Sequence, residues 1–424
     1  MKCHAFSTLL LLLVAACVVP PETTTQQSPP TGVHVAPNRS GVDLTPARDG
    51  RLIVPPGFEG GAQQGAAVAS GQVVRVGLLL PLTGRNAALG KDLQDAATLS
   101  LFDKYARLPT SQQTVRVELL PKDTGDTPEQ ARAAMDEAIA DGAKLIIGPV
   151  FGDATAAAAP LATEKNISVV SFTNNHALAK AGVYTFGFSP QEQTTRVVGY
   201  ALKQGKGRIA ALVPDSATGE LVLSAARGAL AANQMALVAE ARYAPQGIGI
   251  ETALSKLIPD GGPLPFDTLL LPEGGPALNT ILRALGTRGV TPQNVQFIGT
   301  GFWDEPNLLR RTALNGAWLA SSPPQSTAQY EQRFASTYGY APTRISSLAY
   351  DAVALAVTLA TSGRGFSAGA LTQPAGYSGP ANGIFRLRPD GTVERALAVL
   401  RVDGTNLSVI DMAPAGFASA AALR

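Results

Sequence analysis

The stretch that decides the fold is residues 76–97, VGLLLPLTGRNAALGKDLQDAA. An apolar run ends in a turn containing Pro and Gly, and Gly90-Lys91 opens a segment with helical spacing. A strand, a glycine loop and a helix start is also the plan of a phosphate cradle. That use fails on spacing, because a P-loop needs four residues between its first Gly and the Gly-Lys pair, then Ser or Thr. Here five residues separate Gly84 from Gly90, and Asp92 stands where the hydroxyl belongs. A carboxylate there repels a triphosphate. The loop reads as a turn and helix cap beyond a buried strand.

The same unit recurs along the chain. Strand-like runs are expected at Val74–Leu80, Val115–Leu120, Lys144–Ile147, Ser168–Val170, Arg208–Val213, Ala236–Tyr243, Phe266–Leu271 and Gln296–Ile298. Alanine-rich segments with helical spacing lie between most of them, such as Ala88–Tyr105 and Gln191–Gln204. Thr127-Pro128 opens another as N-cap and first helical residue. Strands alternating with helices imply parallel sheets covered on both faces. Val183–Phe188 breaks the rhythm, a strand with no long helix before it, and marks a sheet edge and a crossing to a second lobe. The reading is therefore two doubly wound α/β lobes rather than a closed barrel. Near the end, Tyr330–Tyr338 and Ser346–Thr361 are expected as helices, followed by an antiparallel meander over Ile384–Leu387, Val393–Val402 and Leu407–Ile410.

Composition sets the class. The 424 residues carry 45% hydrophobic and 16% charged side chains with a net charge of +2, and no clustered basic face for nucleic acid. Met1-Lys2 precedes an apolar run from Leu9 to Val14, too short to span a bilayer and suited to a secretory signal. It ends Leu13-Val14-Ala15-Ala16-Cys17. Residues 18–72 are rich in Pro, Thr, Gln, Gly and Ser, a linker holding the folded part roughly 40 Å from its attachment point as a coil. Cys3 leaves with the signal, so no disulfide is expected and stability must come from a large core.

Enzyme signatures are missing from the sequence. There is no HExxH, paired-Cys zinc spacing, GxSxG elbow or Ser-x-x-Lys, so no metal, cofactor or catalytic residue is assigned. His176 beside Asn174-Asn175 is a polar loop residue without a visible nucleophile. The loops after the strands are more suggestive, since ligands of open α/β sheets sit beyond the carboxyl ends of strands. They supply Thr83, Phe151, Gly152, Asp153, Thr155, Thr173, Asn174, Asp215, Thr218, Glu273 and Trp303 as candidates for lining a polar cleft. Each hydroxyl, amide or acid among them also suits a plain helix cap.

Taken in order, VRVGLLLPLTGRNAALG, DTGDTPEQA, IADGAKLIIGPV, ISVVSFTNN and SSLAYDAVALAVTLA resemble type I periplasmic binding proteins of the leucine/isoleucine/valine-binding class over residues 74–362. The resemblance implies two lobes joined by three crossings. Lobe 1 is then expected at 73–188 plus 324–380, lobe 2 at 189–323 plus 381–412, and a tail at 413–424. The run ending in Cys17 resembles a lipoprotein signal, which implies residues 1–16 removed, Cys17 acylated and the protein held on a membrane. Val18 after the cysteine points to the outer membrane under the enteric sorting rule.

A narrower resemblance lies in LLLPLTG and GFSPQEQTTRVVGYALKQGKGRIAALVPDSATGE, which with the lipobox look like penicillin-binding protein activator lipoproteins. It implies a non-catalytic envelope protein that activates a peptidoglycan synthase. The alternative is the solute-binding component of an ABC importer for amino acids or amide-like compounds. In amino-acid binders of the class, hydroxyls after the third strand hold the ligand carboxylate and an acid of the second lobe holds its ammonium. By position Gly152 and Asp153 stand where those hydroxyls are expected, and Glu273 answers to the acid. An Asp153 facing a ligand carboxylate at about 4 Å would cost on the order of 4 kcal/mol at an effective dielectric of 20. The expectation is that branched-chain amino acids do not bind.

Overall fold

The strand expected from residue 74 runs Gln72–Leu80, and its side chains divide between two cores. Val76, Leu78 and Leu80 enter one, and Leu79 enters the other. Period-two alternation with both faces apolar is the mark of a sheet covered on both sides. The computed structural model describes residues 52–53, 72–259, 262–304 and 312–417, all within the unit Leu44–Arg424. The signal, Cys17 and most of the linker lie outside the described residues.

Lobe 1 begins with β1 (Leu52–Ile53), β2 (Gln72–Leu80), α1 (Ala87–Arg107), β3 (Val115–Asp123), α2 (Pro128–Ala140) and β4 (Leu145–Ile147). It continues with α3 (Gly152–Glu164), β5 (Ser168–Ser171) and β6 (Val183–Thr185). The sheet order is β1-β3-β2-β4-β5-β6, parallel except at β1, where Leu52 pairs antiparallel with Leu119. The linker thus contributes an edge strand. Thr127 and Gln130 form a full capping box at the start of α2, as Thr127-Pro128 predicts.

The chain then crosses to lobe 2: α4 (Pro190–Lys203), β7 (Ile209–Pro214), α5 (Ala217–Ala231), β8 (Ala239–Tyr243) and α6 (Ile250–Leu257). Next come β9 (Thr268–Leu270), α7 (Gly275–Thr287), β10 (Gln296–Gly299) and β11 (Trp318–Ser321). It returns for α8 (Pro324–Tyr338), α9 (Ser346–Thr361), α10 (Ala368–Leu371), β12 (Tyr377–Gly379), β13 (Gly383–Leu387) and β14 (Val393–Arg395). A last crossing leads to β15 (Ala398–Asp403) and β16 (Asn406–Asp411). The second sheet is ordered β16-β15-β11-β10-β9-β7-β8, with β15 antiparallel to β11 and β16 antiparallel to β15. The crossings fall at 186–189, 322–323 and 396–397.

The antiparallel C-terminal strands are present, divided between two sheets. Val393–Val402 is two strands, because Arg395 pairs with Phe385 in the small sheet β12-β13-β14 whereas Ala398 pairs with Ser321 in the second lobe. Both halves are buried, so the apolar run conceals the crossing inside it. Residues 381–393, expected in lobe 2, pack with lobe 1: Ala381, Phe385, Leu387 and Val393 belong to its core. Helix α8 starts six residues before Tyr330, its polar first turns carrying no apolar stripe and Pro324 standing at N1.

Two close approaches fix the architecture. A Cβ at Gly90 would lie 2.0 Å from the Pro81 carbonyl oxygen, and one at Gly219 would lie 1.9 Å from that of Pro214. Each lobe seats its first β-α helix directly on the exit of its first strand, and only glycine permits it. Helix α9 is buried nearly all round, and its Asp351, fully buried, binds the turn between β12 and β13. Asp351 Oδ1 accepts from Ala381 N (2.8 Å), and Oδ2 accepts from Asn382 N (3.1 Å) and Nδ2 (2.8 Å).

Candidate functional site

The loop after β2 is already filled by carboxylates. Leu82 N and Thr83 N donate to Asp123 Oδ1 at 2.8 and 3.2 Å, Thr83 Oγ1 donates to Oδ2 at 2.5 Å, and Arg85 N donates to Asp126 Oδ2 at 2.9 Å. Burial alone would raise the Asp123 carboxyl, but hydrogen bonds from Thr83, Gly125 and Leu82 hold it below its usual range. A charged acid therefore occupies the amides that a phosphate would need. Thr83 caps the rim with its hydroxyl committed.

On lobe 1 the loops after β4 and β5 meet. A Cβ at Gly152 would lie 3.6 Å from Thr173 Oγ1 and 3.7 Å from Asn175 Nδ2. Thr173 Oγ1 accepts from Asn175 N at 3.1 Å, which fixes the hydroxyl while leaving its proton to give. Phe151 is the N-cap of α3 and supplies no side-chain bond, so its own side chain leaves the first-turn amides at the positive helix end uncapped. Thr155 is not part of this notch: it is fully buried and bonds Ser171 Oγ at 2.7 Å beneath the loop. Asn174 is exposed beside Thr173, and Asp153 is exposed in the first turn of α3.

On lobe 2 the half-buried Glu273 follows β9. Its Oε2 accepts from Tyr243 OH at 2.9 Å and its Oε1 from Gly274 N at 3.1 Å. Burial and the Glu273 charge push the Tyr243 hydroxyl well above its usual value, so it stays a donor. Trp303 is no cleft residue; it is fully buried and donates Nε1 to the Glu273 carbonyl at 2.8 Å, bracing the loop from below. Its neighbour Phe302 is the exposed one, packed where a Cβ at Gly274 would lie 3.2 Å from its own. Asp215 is exposed and 3.9 Å from Arg242 Nη1, and Thr218 sits half-buried in the first turn of α5.

Of the eleven candidates, the structure brings Gly152 and Thr173 together on one lobe and isolates Glu273 on the other. Asn175 and Phe302 belong with them, each one residue from a candidate in sequence. The loops hold Phe151 and Phe302, each 38% exposed, at strand ends of opposite lobes. Exposed Asp153 is screened by solvent, where a like-charge contact at about 4 Å costs about 1 kcal/mol rather than 4. The electrostatic case against a ligand carboxylate is accordingly weak.

Two α/β lobes, joined by three crossings and with loops gathered at the strand ends, make up the two-lobed architecture of the periplasmic binding proteins. The sequence profile of the periplasmic binding protein family matches residues 73–406, and the chain belongs to that family. The family consists of ligand-binding rather than catalytic proteins and works in the periplasm. Among solved structures, a Rhodospirillum rubrum protein assigned to branched-chain amino acid ABC transport superposes with a TM-score of 0.69 at 21% identity, over 80% of this chain and 100% of that one. A leucine-binding protein of Thermotoga maritima gives 0.58 at 19%, over 80% and 98%. A solute-binding protein of Rhodopseudomonas palustris in complex with 3,4-dihydroxybenzoic acid gives 0.58 at 19%, over 81% and 97%. At these identities the likeness establishes the fold alone. An uncharacterized protein of Rickettsia prowazekii is 27% identical over 127 residues, 30% of this chain and 32% of its own length.

Proposed function

We propose that the protein is the solute-binding component of an ABC importer, taking a small carboxylate-bearing solute such as an amino acid or amide-like compound. The observation that carries this reading is the uncapped N-terminus of α3 beside Thr173 and Asn175, which offers donors to a carboxylate. Glu273 is the acceptor for an ammonium or amide N–H, and Phe151 and Phe302 flank the apolar body. Solved relatives bind solutes of this kind, among them isoleucine and a dihydroxybenzoate.

A thermal-shift panel of amino acids, primary amides and benzoates tests the reading. A stabilising ligand is expected, with Thr173→Val and Glu273→Gln each weakening it about tenfold or more, near 1.4 kcal/mol. A panel without a hit, or a hit indifferent to both substitutions, rejects the site. The activator resemblance rests on residues 78–84 and 187–220 with the lipobox, and within 187–220 the first crossing, the inner face of α4 and the wholly buried β7 are parts of the fold itself. The fold accounts for it without a synthase partner, which is why solute binding is preferred.

The membrane attachment is proposed on the lipobox, with acylated Cys17 as anchor and the outer membrane as its place. Cys17→Ser is expected to move the protein into the soluble envelope fraction. Unchanged retention after detergent-free fractionation would reject the anchor.

A further inference from the structure

The region where the lobes join holds two arginines on one aromatic ring. Phe188, in the first crossing, has the Arg344 guanidinium 4.4 Å and the Arg395 guanidinium 5.5 Å from its ring centroid. The two cations do very different things. Arg395, at the end of β14, is 5% exposed, donates Nη2 to the Phe186 carbonyl at 2.7 Å and lies 4.3 Å over the Phe186 ring. Its Nε and Nη1 have no hydrogen-bond partner among the described residues, and Phe385 closes the cage at 5.6 Å. Aromatic faces serve those N–H groups in place of acceptors. Burial pulls its pKa down, opposed by the charges of Asp351 and Glu192. Arg395 therefore pins the first crossing to the third and has nowhere to go.

Arg344 is built to let go. It stands in the loop between α8 and α9 of lobe 1, its side chain 27% exposed, and reaches into lobe 2. Nη1 donates to the Gly301 carbonyl at 2.6 Å, Nη2 donates to Ser321 Oγ at 3.0 Å, and Asp304 Oδ2 lies 3.8 Å from Nε. Ser321 in turn donates to Asp304 Oδ2 at 2.8 Å. Gly301 is held from its own lobe as well, its N–H donating to Gln193 Oε1 at 3.0 Å. A Cβ at Gly301 would come within 2.7 Å of Arg344 Nη2, so the clasp closes on bare backbone. These are polar contacts from a partly exposed arginine to the buried Gly301 and Ser321, and none of the three residues belongs to an apolar core cluster.

We propose that Arg344 is a positioning residue that sets how far the lobes close, swinging on Phe188 as a bearing that the caged Arg395 also contacts. It rests on the two-lobed binding reading but touches no assigned ligand residue. Closure then carries a built-in bias from the protein's own clasp, and ligand affinity depends on a residue that does not contact the ligand.

The test reads the distance between the lobes without ligand, so it stands or falls separately from the choice of solute. Spin labels at Lys165→Cys and Lys203→Cys, exposed sites on α3's and α4's far ends, are placed in the full chain with its own two cysteines replaced by serine. Arg344→Ala is expected to lengthen or broaden the distance distribution on the order of 5 Å. Arg344→Lys and Ser321→Ala, milder changes, are expected to shift it the same way by less. Circular dichroism and the urea midpoint serve as controls, since a merely structural role would lower stability while leaving the distance distribution of the folded protein in place. Distributions that superimpose on wild type in all folded variants overturn the proposal.

Discussion

Replacing Asp351 with alanine is expected to lower the unfolding free energy by about 3–5 kcal/mol, the range for breaking a buried charged network. The carboxylate is fully buried and receives three hydrogen bonds, from Ala381 N, Asn382 N and Asn382 Nδ2. Alanine leaves the Ala381 and Asn382 backbone amides without an acceptor in a dry site, while Asn382 Nδ2 keeps Ser347 Oγ at 3.0 Å, and each orphan costs roughly 1–3 kcal/mol. Asparagine keeps one acceptor oxygen and should cost less. Burial pushes the Asp351 carboxyl up to about 6, against the hydrogen bonds that favour its charged form. A raised folded-state value favours the protonated form, so this contribution is full below the unfolded value near 3.8 and is lost as pH rises through about 6. The gap between wild type and Asp351→Asn should therefore narrow from pH 4 to pH 7 in urea titrations. A loss below about 1 kcal/mol for Asp351→Ala would show that the turn has another anchor.

A second large effect is expected at Gly90. Its missing side chain is what lets α1 approach the Pro81 carbonyl, where a Cβ would sit at 2.0 Å. The obstacle is backbone, which cannot rotate aside, so Gly90→Ala should cost about 3 kcal/mol or more, at or beyond the upper end of ordinary overpacking. Gly219→Ala should behave alike in lobe 2, with 1.9 Å to the Pro214 oxygen. Gly199, inside α4 with nothing within 4 Å of its Cβ position, provides the contrast. There the same substitution should stabilise by about 0.5–1 kcal/mol through helix propensity. Equal effects at Gly90 and Gly199 would defeat the close-approach argument.

These residues also show where sequence carries structural information and where it does not. The strand runs of β2 and β7 were legible because both their faces are buried and apolarity is continuous. Thr127-Pro128 was legible because capping chemistry is local. The start of α8 was not, its first turns being polar, and neither was the split at 396–397, where burial continues while the partner strand changes. In the site, Trp303 and Thr155 had the right chemistry and the wrong depth. Loop position says that a residue is near a strand end, and only packing says which of two neighbours, Phe302 or Trp303, turns outward. Arg395 was visible only as one of two arginines in the run Val393–Val402, a signal that names no partner.

The antiparallel insertion of β15 beside β11 bears on the order of assembly. Trp318 pairs with Arg401 and Ser321 with Ala398, across a stretch of chain that first goes back to finish the other lobe. Lobe 1's parallel strands can pair as soon as residue 185 is available. The outer edge of β11 has no native neighbour until the chain has been made past residue 401, and such an edge is a template for foreign strands. The second lobe's sheet is thus completed last, by residues synthesised after the third crossing, and the edge of β11 stays unpaired over that interval.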